Sequence, residues 1–223
     1  MTVILVLATF AIFILLDYVL NRKKAAHLAV AEVQHTVPPA LEPAYVEGFL
    51  VPEQLNYHPG HGWAFRERRN LVRVGVDEFA AALVGHVDKI EAPKPGQWVR
   101  QGQKIWTFYR DGEAAEMVSP TEGEIVEVNQ EVLCNPALLR EDPYGRGWLA
   151  VVHVPDEEST SRNLVPSGLV RSWMREAVSR LYALQPQLAG GAAADGGAPA
   201  ADLLADLPNA NWREVANKFF LTV

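Results

Sequence analysis

Cysteine is nearly absent: Cys134 stands alone among 223 residues. No internal disulfide can form, which fits a reducing compartment. With no second cysteine at metal-ligand spacing, Cys134 is expected to be a buried, inert thiol. Positive charge is also in short supply. The net charge is −7, so there is no electrostatic footprint for nucleic acid. Nucleophile elbows, phosphate-cradling glycine loops, zinc spacings and dinucleotide fingerprints are all missing. That leaves an independent enzyme as the least supported class, with no catalytic residue, cofactor or small-molecule substrate expected. A last absence is more local: no lysine occurs between Ile105 and Leu207.

What the chain does have is 49% hydrophobic residues, enough for one core of about a hundred residues with additions at either end. The stretch 102–123, GQKIWTFYRDGEAAEMVSPTEG, organises the rest. Two β-prone runs flank Asp111-Gly112, and Asp-Gly between such runs is a strong hairpin signal, because glycine accepts the positive φ of a tight turn. Trp106 and Phe108 fall on one face of the first strand, and Ile105, Thr107 and Tyr109 on the other. One set therefore fills the core. The other either marks a protein contact or lies under a terminal extension. Glu113 and Glu116 make the tip acidic without forming a defensible catalytic pair.

At this point residues 56–154 resemble the H protein of the glycine cleavage system, a lipoyl-carrier domain. His61-Gly62-Trp63 is similar to the family's opening. Val74 to Ala80 with Leu83-Val84-Gly85 is similar to its helix and turn. Asn135-Pro136 and the run Glu141 to Leu149 (EDPYGRGWL) are similar to its closing signature. The resemblance implies a mainly β (α+β) fold, a flattened lipoyl-domain barrel or sandwich with short helices. It also implies a single lipoylated lysine at the hairpin tip. An ungapped count from Gly102 to Pro120 puts Gly112 at that position, between Asp111 and Glu113. Glycine offers no amine, and the Arg110 guanidinium is not an acyl acceptor. The scaffold is implied, and the carrier chemistry is not.

Residues 2–20, TVILVLATFAIFILLDYVL, would span about 28 Å as a helix, close to the hydrocarbon thickness of a bilayer. Without a basic leader or a small-x-small cleavage site the run reads as a retained anchor, with Ile4, Leu7, Phe10, Phe13 and Leu16 in the lipid. Asp17 sits near its end, where it snorkels or meets a partner helix. Arg22, Lys23 and Lys24 follow, and the positive-inside rule then puts the amino terminus outside and the main domain in the cytoplasm, at an inner membrane.

The expected organisation continues with a juxtamembrane helix and linker (25–55), the H-protein-like domain (56–156), an amphipathic helix (157–185), a flexible Ala/Gly linker (186–201) and a docking segment (202–223). His58 and His61 suggest a metal pair, with Asn56 and His86 as imaginable helpers. Pro59-Gly60 prevents a shared helical face and no tetrahedral set completes it, so no metal is expected. Asp77 is a candidate N-cap and Gly85 a stop. Arg66 to Asn70 reads as a solvated turn.

Candidate partner contacts are Arg110, Asp111 and Glu113 at the tip, Trp106 on the hairpin, Trp173 on the amphipathic helix, and Trp212, Phe219 and Phe220 in the tail. The tail either grips a partner or folds back on its own domain. The function these features suggest is a non-catalytic, membrane-anchored docking subunit of a larger complex, with a respiratory or oxidoreductase assembly as natural context. Its partners would be the other subunits and the bilayer. The alternatives are an active lipoyl or aminomethyl carrier with an unrecognised attachment site, and a membrane-fusion-type adaptor. Against the last, no heptad run interrupts the domain.

Overall fold

The structure is a computed structural model that describes residues 13, 43–184, 202–204 and 211–222. The chain divides into two compact units, residues 1–36 and 37–223. The anchor at 2–20, its basic flank, residues 25–42 of the juxtamembrane stretch and the Ala/Gly linker lie outside the described residues, apart from a helical, exposed Phe13. The rest of that stretch, expected as helix and linker, holds two short strands at 45–46 and 49–50. Among the described residues, no helix is long and apolar enough to cross a membrane.

The second unit is sheet-rich. A two-stranded ribbon, β1 (Tyr45–Val46) and β2 (Phe49–Leu50), precedes β3 (Asn56–Tyr57), β4 (Gly62–Arg68) and β5 (Leu71–Val76). Helix α1 (Glu78–Val84) follows, then β6 (Lys89–Glu91), β7 (Trp98–Val99), β8 (Lys104–Arg110), β9 (Glu113–Val118) and β10 (Gly123–Val128). Two short helices, α2 (Gln130–Cys134) and α3 (Leu138–Glu141), lead to the closing strand β11 (Ala150–His153). After it come α4 (Glu157–Ser161), a 3-10 turn (Ser167–Leu169), α5 (Val170–Leu184) and α6 (Trp212–Phe219). The larger sheet has the order β3-β4-β5-β11-β10-β7, and the smaller β6-β8-β9. Trp63, Val74, Ile125 and Val152 from the first share one buried apolar cluster with Trp106, Phe108, Ala115 and Met117 from the second.

Local chemistry accounts for these elements. Asp77 caps α1, its Oδ1 accepting from the Ala80 amide at 2.7 Å, and Gly85 ends the helix at φ +63°. Asn129 caps α2, while its Nδ2 donates to the carbonyls of Arg146 and Trp148, both at 2.8 Å. That side chain ties the helix start to the Gly145–Trp148 turn. The Trp63 indole donates to the Pro143 carbonyl at 3.2 Å, and the Tyr144 hydroxyl to the Leu50 carbonyl at 2.6 Å. The closing signature is therefore a brace between the ribbon, β4 and α1.

The structure corrects several expectations. Arg66 to Arg68 continue β4, and the turn shrinks to Arg69-Asn70, with Asn70 at φ +61°. The alternation this imposes sends Glu67 inward, where it pairs with buried Arg73 on β5 beneath the Trp148 ring. Cys134 is exposed at the end of α2, because the buried position of that short helix is Val132. Trp106 is 1% exposed, since its face of β8 is the core face, so it offers nothing to a partner.

Candidate functional site

The hairpin tip is a two-residue turn. Arg110 faces Glu113 in register, and Asp111 (φ +50°) and Gly112 (φ +82°) both occupy the left-handed region. Positive φ at both central positions is the type I′ geometry that matches strand twist. A Cβ built on Gly112 meets no atom within 4 Å. The tip position is thus open in the direction a side chain would take.

Around the turn, polar groups hold the tip in place. The Asp111 amide donates to the Asp88 carboxylate at 2.8 Å. Arg110 lies folded down, donating to Asp202 at 3.0 Å and to the Val84 carbonyl at 3.3 Å. One strand over, Lys89 pairs with Glu91 at 2.7 Å and lies 5.3 Å from the Tyr109 ring centre. The Tyr109 hydroxyl also donates to Glu91, at 2.8 Å. Hydrogen bonding to Glu91 raises the Lys89 and Tyr109 pKa values, and the bond from Lys89 lowers that of Glu91. Lys89 is an exposed amine held in its protonated form, which makes it a poor unaided nucleophile.

Of the candidate contacts, Asp111 and Glu113 are exposed at the tip. Arg110 is half-buried and engaged with Asp202. Trp173 stacks on His61 with ring centres 4.7 Å apart. Trp212, Phe219 and Phe220 are buried within the chain's own fold. The tail therefore folds back on its parent domain: the Trp212 indole donates to the Val84 carbonyl at 3.1 Å. Phe219 packs edge-on to Phe79 at 5.2 Å, and Phe220 lies 6.3 Å from Phe108. These three side chains are occupied internally because α6 is amphipathic and the groove between α1 and the β8–β9 hairpin is apolar.

The histidines take different roles. His61, fully buried at φ +63°, pairs through Nδ1 with Asp77 Oδ2 at 2.8 Å. Among the described residues its Nε2 has no hydrogen-bond partner, and the ring sits among Phe79, Trp173 and Phe219. His58 accepts from the Gly60 amide at 3.1 Å, and burial, then His61, push its pKa down to about 4. Among the described residues, no three His, Cys, Asp or Glu side chains gather as a metal set.

Sequence reasoning missed Asp202. Its carboxylate accepts from Arg110 and from the His86 amide, and so joins the end of α1 to the base of the tip. These partners lie roughly a hundred residues away in the chain, and no local pattern announces them.

A family model described as glycine cleavage H-protein matches residues 55–176. The glycine cleavage system H protein of Thermobifida fusca is 37% identical over 108 residues, spanning 48% of this chain and 84% of that protein. The one from Carboxydothermus hydrogenoformans is 32% identical over 117 residues, spanning 52% and 89%. A crystal structure of a glycine cleavage system H protein from Mycobacterium marinum superposes with a TM-score of 0.44 at 28% identity, over 47% of this chain and 87% of that one.

Proposed function

Because this chain belongs to the glycine cleavage H-protein family, we propose that it uses the family's domain as a non-carrying docking module within a membrane-bound assembly. One observation carries the reading. The tip of the β8–β9 hairpin, where the family resemblance implies the lipoyl-bearing lysine, holds Gly112 in an open left-handed turn. Acylation needs an amine, and none is present from residue 105 to 207. The exposed tip residues Asp111 and Glu113 are the contact surface we assign, with Arg110 holding the tip through Asp202. The apolar run at 2–20 and Arg22-Lys23-Lys24 support an inner-membrane anchor with the domain in the cytoplasm. An assembly with other subunits, of respiratory or oxidoreductase type, is the context that fits such a tethered module.

A second reading keeps the carrier role, in line with the names of the relatives. Lys89 favours it. It is an exposed amine on the strand beside β8, in register with Tyr109 near the tip. Its ion pair with Glu91 and its raised pKa weigh against acylation there.

One experiment separates the two readings. Tagged protein is extracted from native membranes in mild detergent, its co-purifying proteins are quantified, and its intact mass is measured. Unmodified protein with a defined set of subunits at comparable abundance supports the docking module. A lipoyl-sized adduct mapping to Lys89 establishes the carrier. Unmodified protein that emerges alone refutes both.

A further inference from the structure

We propose that residues 211–222 form a displaceable strap. In this view the groove between α1 and the β8–β9 hairpin is a receptor for an amphipathic helix, filled in cis by the chain's own α6. The inference does not depend on whether the module carries an acyl group.

Three observations point this way. First, α6 has eight residues, too few to persist as a helix in water, so it exists by virtue of docking. It docks through one face, Trp212, Val215, Ala216 and Phe219, with Phe220 closing the end. That spacing is the helix-in-groove mode of recognition.

Second, the segment is an addition. It lies outside the family match at 55–176, and among the described residues few hydrogen bonds tie it to the domain. Besides the Trp212 indole, they are Lys104 Nζ to the Thr222 carbonyl at 2.8 Å and Thr222 Oγ1 to the Glu116 carbonyl at 3.2 Å. The layer formed by Trp63, Val74, Ile125 and Val152 is supplied by the strands of the larger sheet.

Third, the floor of the groove holds a polar atom that the strap leaves unserved. His61 Nε2 is buried with no partner among the described residues, and Phe219 on the strap is one of the rings that cover the imidazole. A buried unsatisfied group penalises the closed state. Opening would remove one of the three rings around that nitrogen and bring water closer to it, which lowers the free energy of detachment relative to global unfolding. Local opening of this kind is expected of a short element that few hydrogen bonds tie to the rest of the fold.

The test uses the full chain. Native-state hydrogen exchange is measured by mass spectrometry on the wild type and on a full-length variant with Trp212→Ala, Phe219→Ala and Phe220→Ala. A fluorescein-labelled peptide of residues 211–222 is then titrated against each protein. The expected result in the wild type is that amides at 212–219 exchange at least a hundredfold faster than those of β5 and β11. The variant should keep the protection of β5 and β11 and bind the peptide at least tenfold more tightly than the wild type, whose groove is occupied. The proposal is overturned if 212–219 and the sheet exchange at one common rate. It is also overturned if the variant loses sheet protection, or if a folded variant binds the peptide no better than the wild type does.

Discussion

Replacing Gly112 with lysine tests the geometry of the tip and its chemistry together. At φ +82° an L-residue in the left-handed region costs about 1–2 kcal/mol. Part of that is offset, by about 0.4–1 kcal/mol, because the unfolded chain loses glycine's extra freedom. No atom lies within 4 Å of the new Cβ, so packing adds nothing. The net expectation is a loss of about 1 kcal/mol, or roughly 2–4 °C in Tm for a chain of this size. Gly75→Ala is the internal contrast, because there a Cβ would press on the Trp63 ring at 2.5 Å. Overpacking of that kind costs about 1–3 kcal/mol. Urea unfolding of both variants measures the difference. Incubating Gly112→Lys with lipoate and a lipoate ligase, followed by intact mass, then asks whether the restored amine is accepted. A loss of about 3 kcal/mol or more for Gly112→Lys would refute an open tip, and with it the reasoning that the tip is free to meet a partner.

Two further predictions concern the buried polar pair and its neighbour. Asp77→Ala removes the α1 cap, about 1 kcal/mol, and leaves His61 without its partner, a further cost of about 1–3 kcal/mol. Its urea midpoint should therefore fall below that of Asp77→Asn, which keeps an oxygen to accept from the Ala80 amide and places an amide N–H, in place of the second carboxylate oxygen, beside His61 Nδ1. His58 predicts a pH dependence. Its folded pKa of about 4 lies below the usual 6.5, so the unfolded chain takes the proton first as the pH falls. The stability due to neutral His58 is complete above about pH 6.5 and is lost progressively down to about pH 4, by roughly 3 kcal/mol in all. Urea midpoints at pH 7, 5.5 and 4 would show this slope, and His58→Gln should flatten it.

Much of the fold was legible wherever the determinants are local. Asp-Gly announced the hairpin and Asp77 and Gly85 bounded α1, while the amphipathic helix expected over 157–185 is divided into α4, a 3-10 turn and α5. The alternation Trp106–Phe108 against Ile105–Thr107–Tyr109 correctly opposed a core face to an outer one. What escaped was set by distant partners. The charged stretch Arg66 to Arg69 looks solvated until the pleat of β4 turns Glu67 towards Arg73 on the neighbouring strand. The α2 helix, capped by Asn129, has too few residues for a readable period. For the tail, an amphipathic pattern specifies an apolar face but not what covers it. Only the groove between α1 and the hairpin decided between docking outward and folding back. The site was legible at Gly112, by counting, and illegible at Asp202.

The sheet order has a consequence for how the molecule avoids others like itself. The six-stranded sheet ends in β3 and β7, each of two residues, and β3 is partly closed by its bridge to Val165. Unpaired edges that short are poor templates for strand addition. The smaller sheet ends on one side in β9, six residues long, and its Glu116 carbonyl is taken by the Thr222 hydroxyl. The carboxyl-terminal segment therefore also shields an aggregation-prone edge. A preparation in which that segment has been clipped should show concentration-dependent light scattering and a gain in cross-strand amyloid-dye signal at temperatures where the intact chain stays clear.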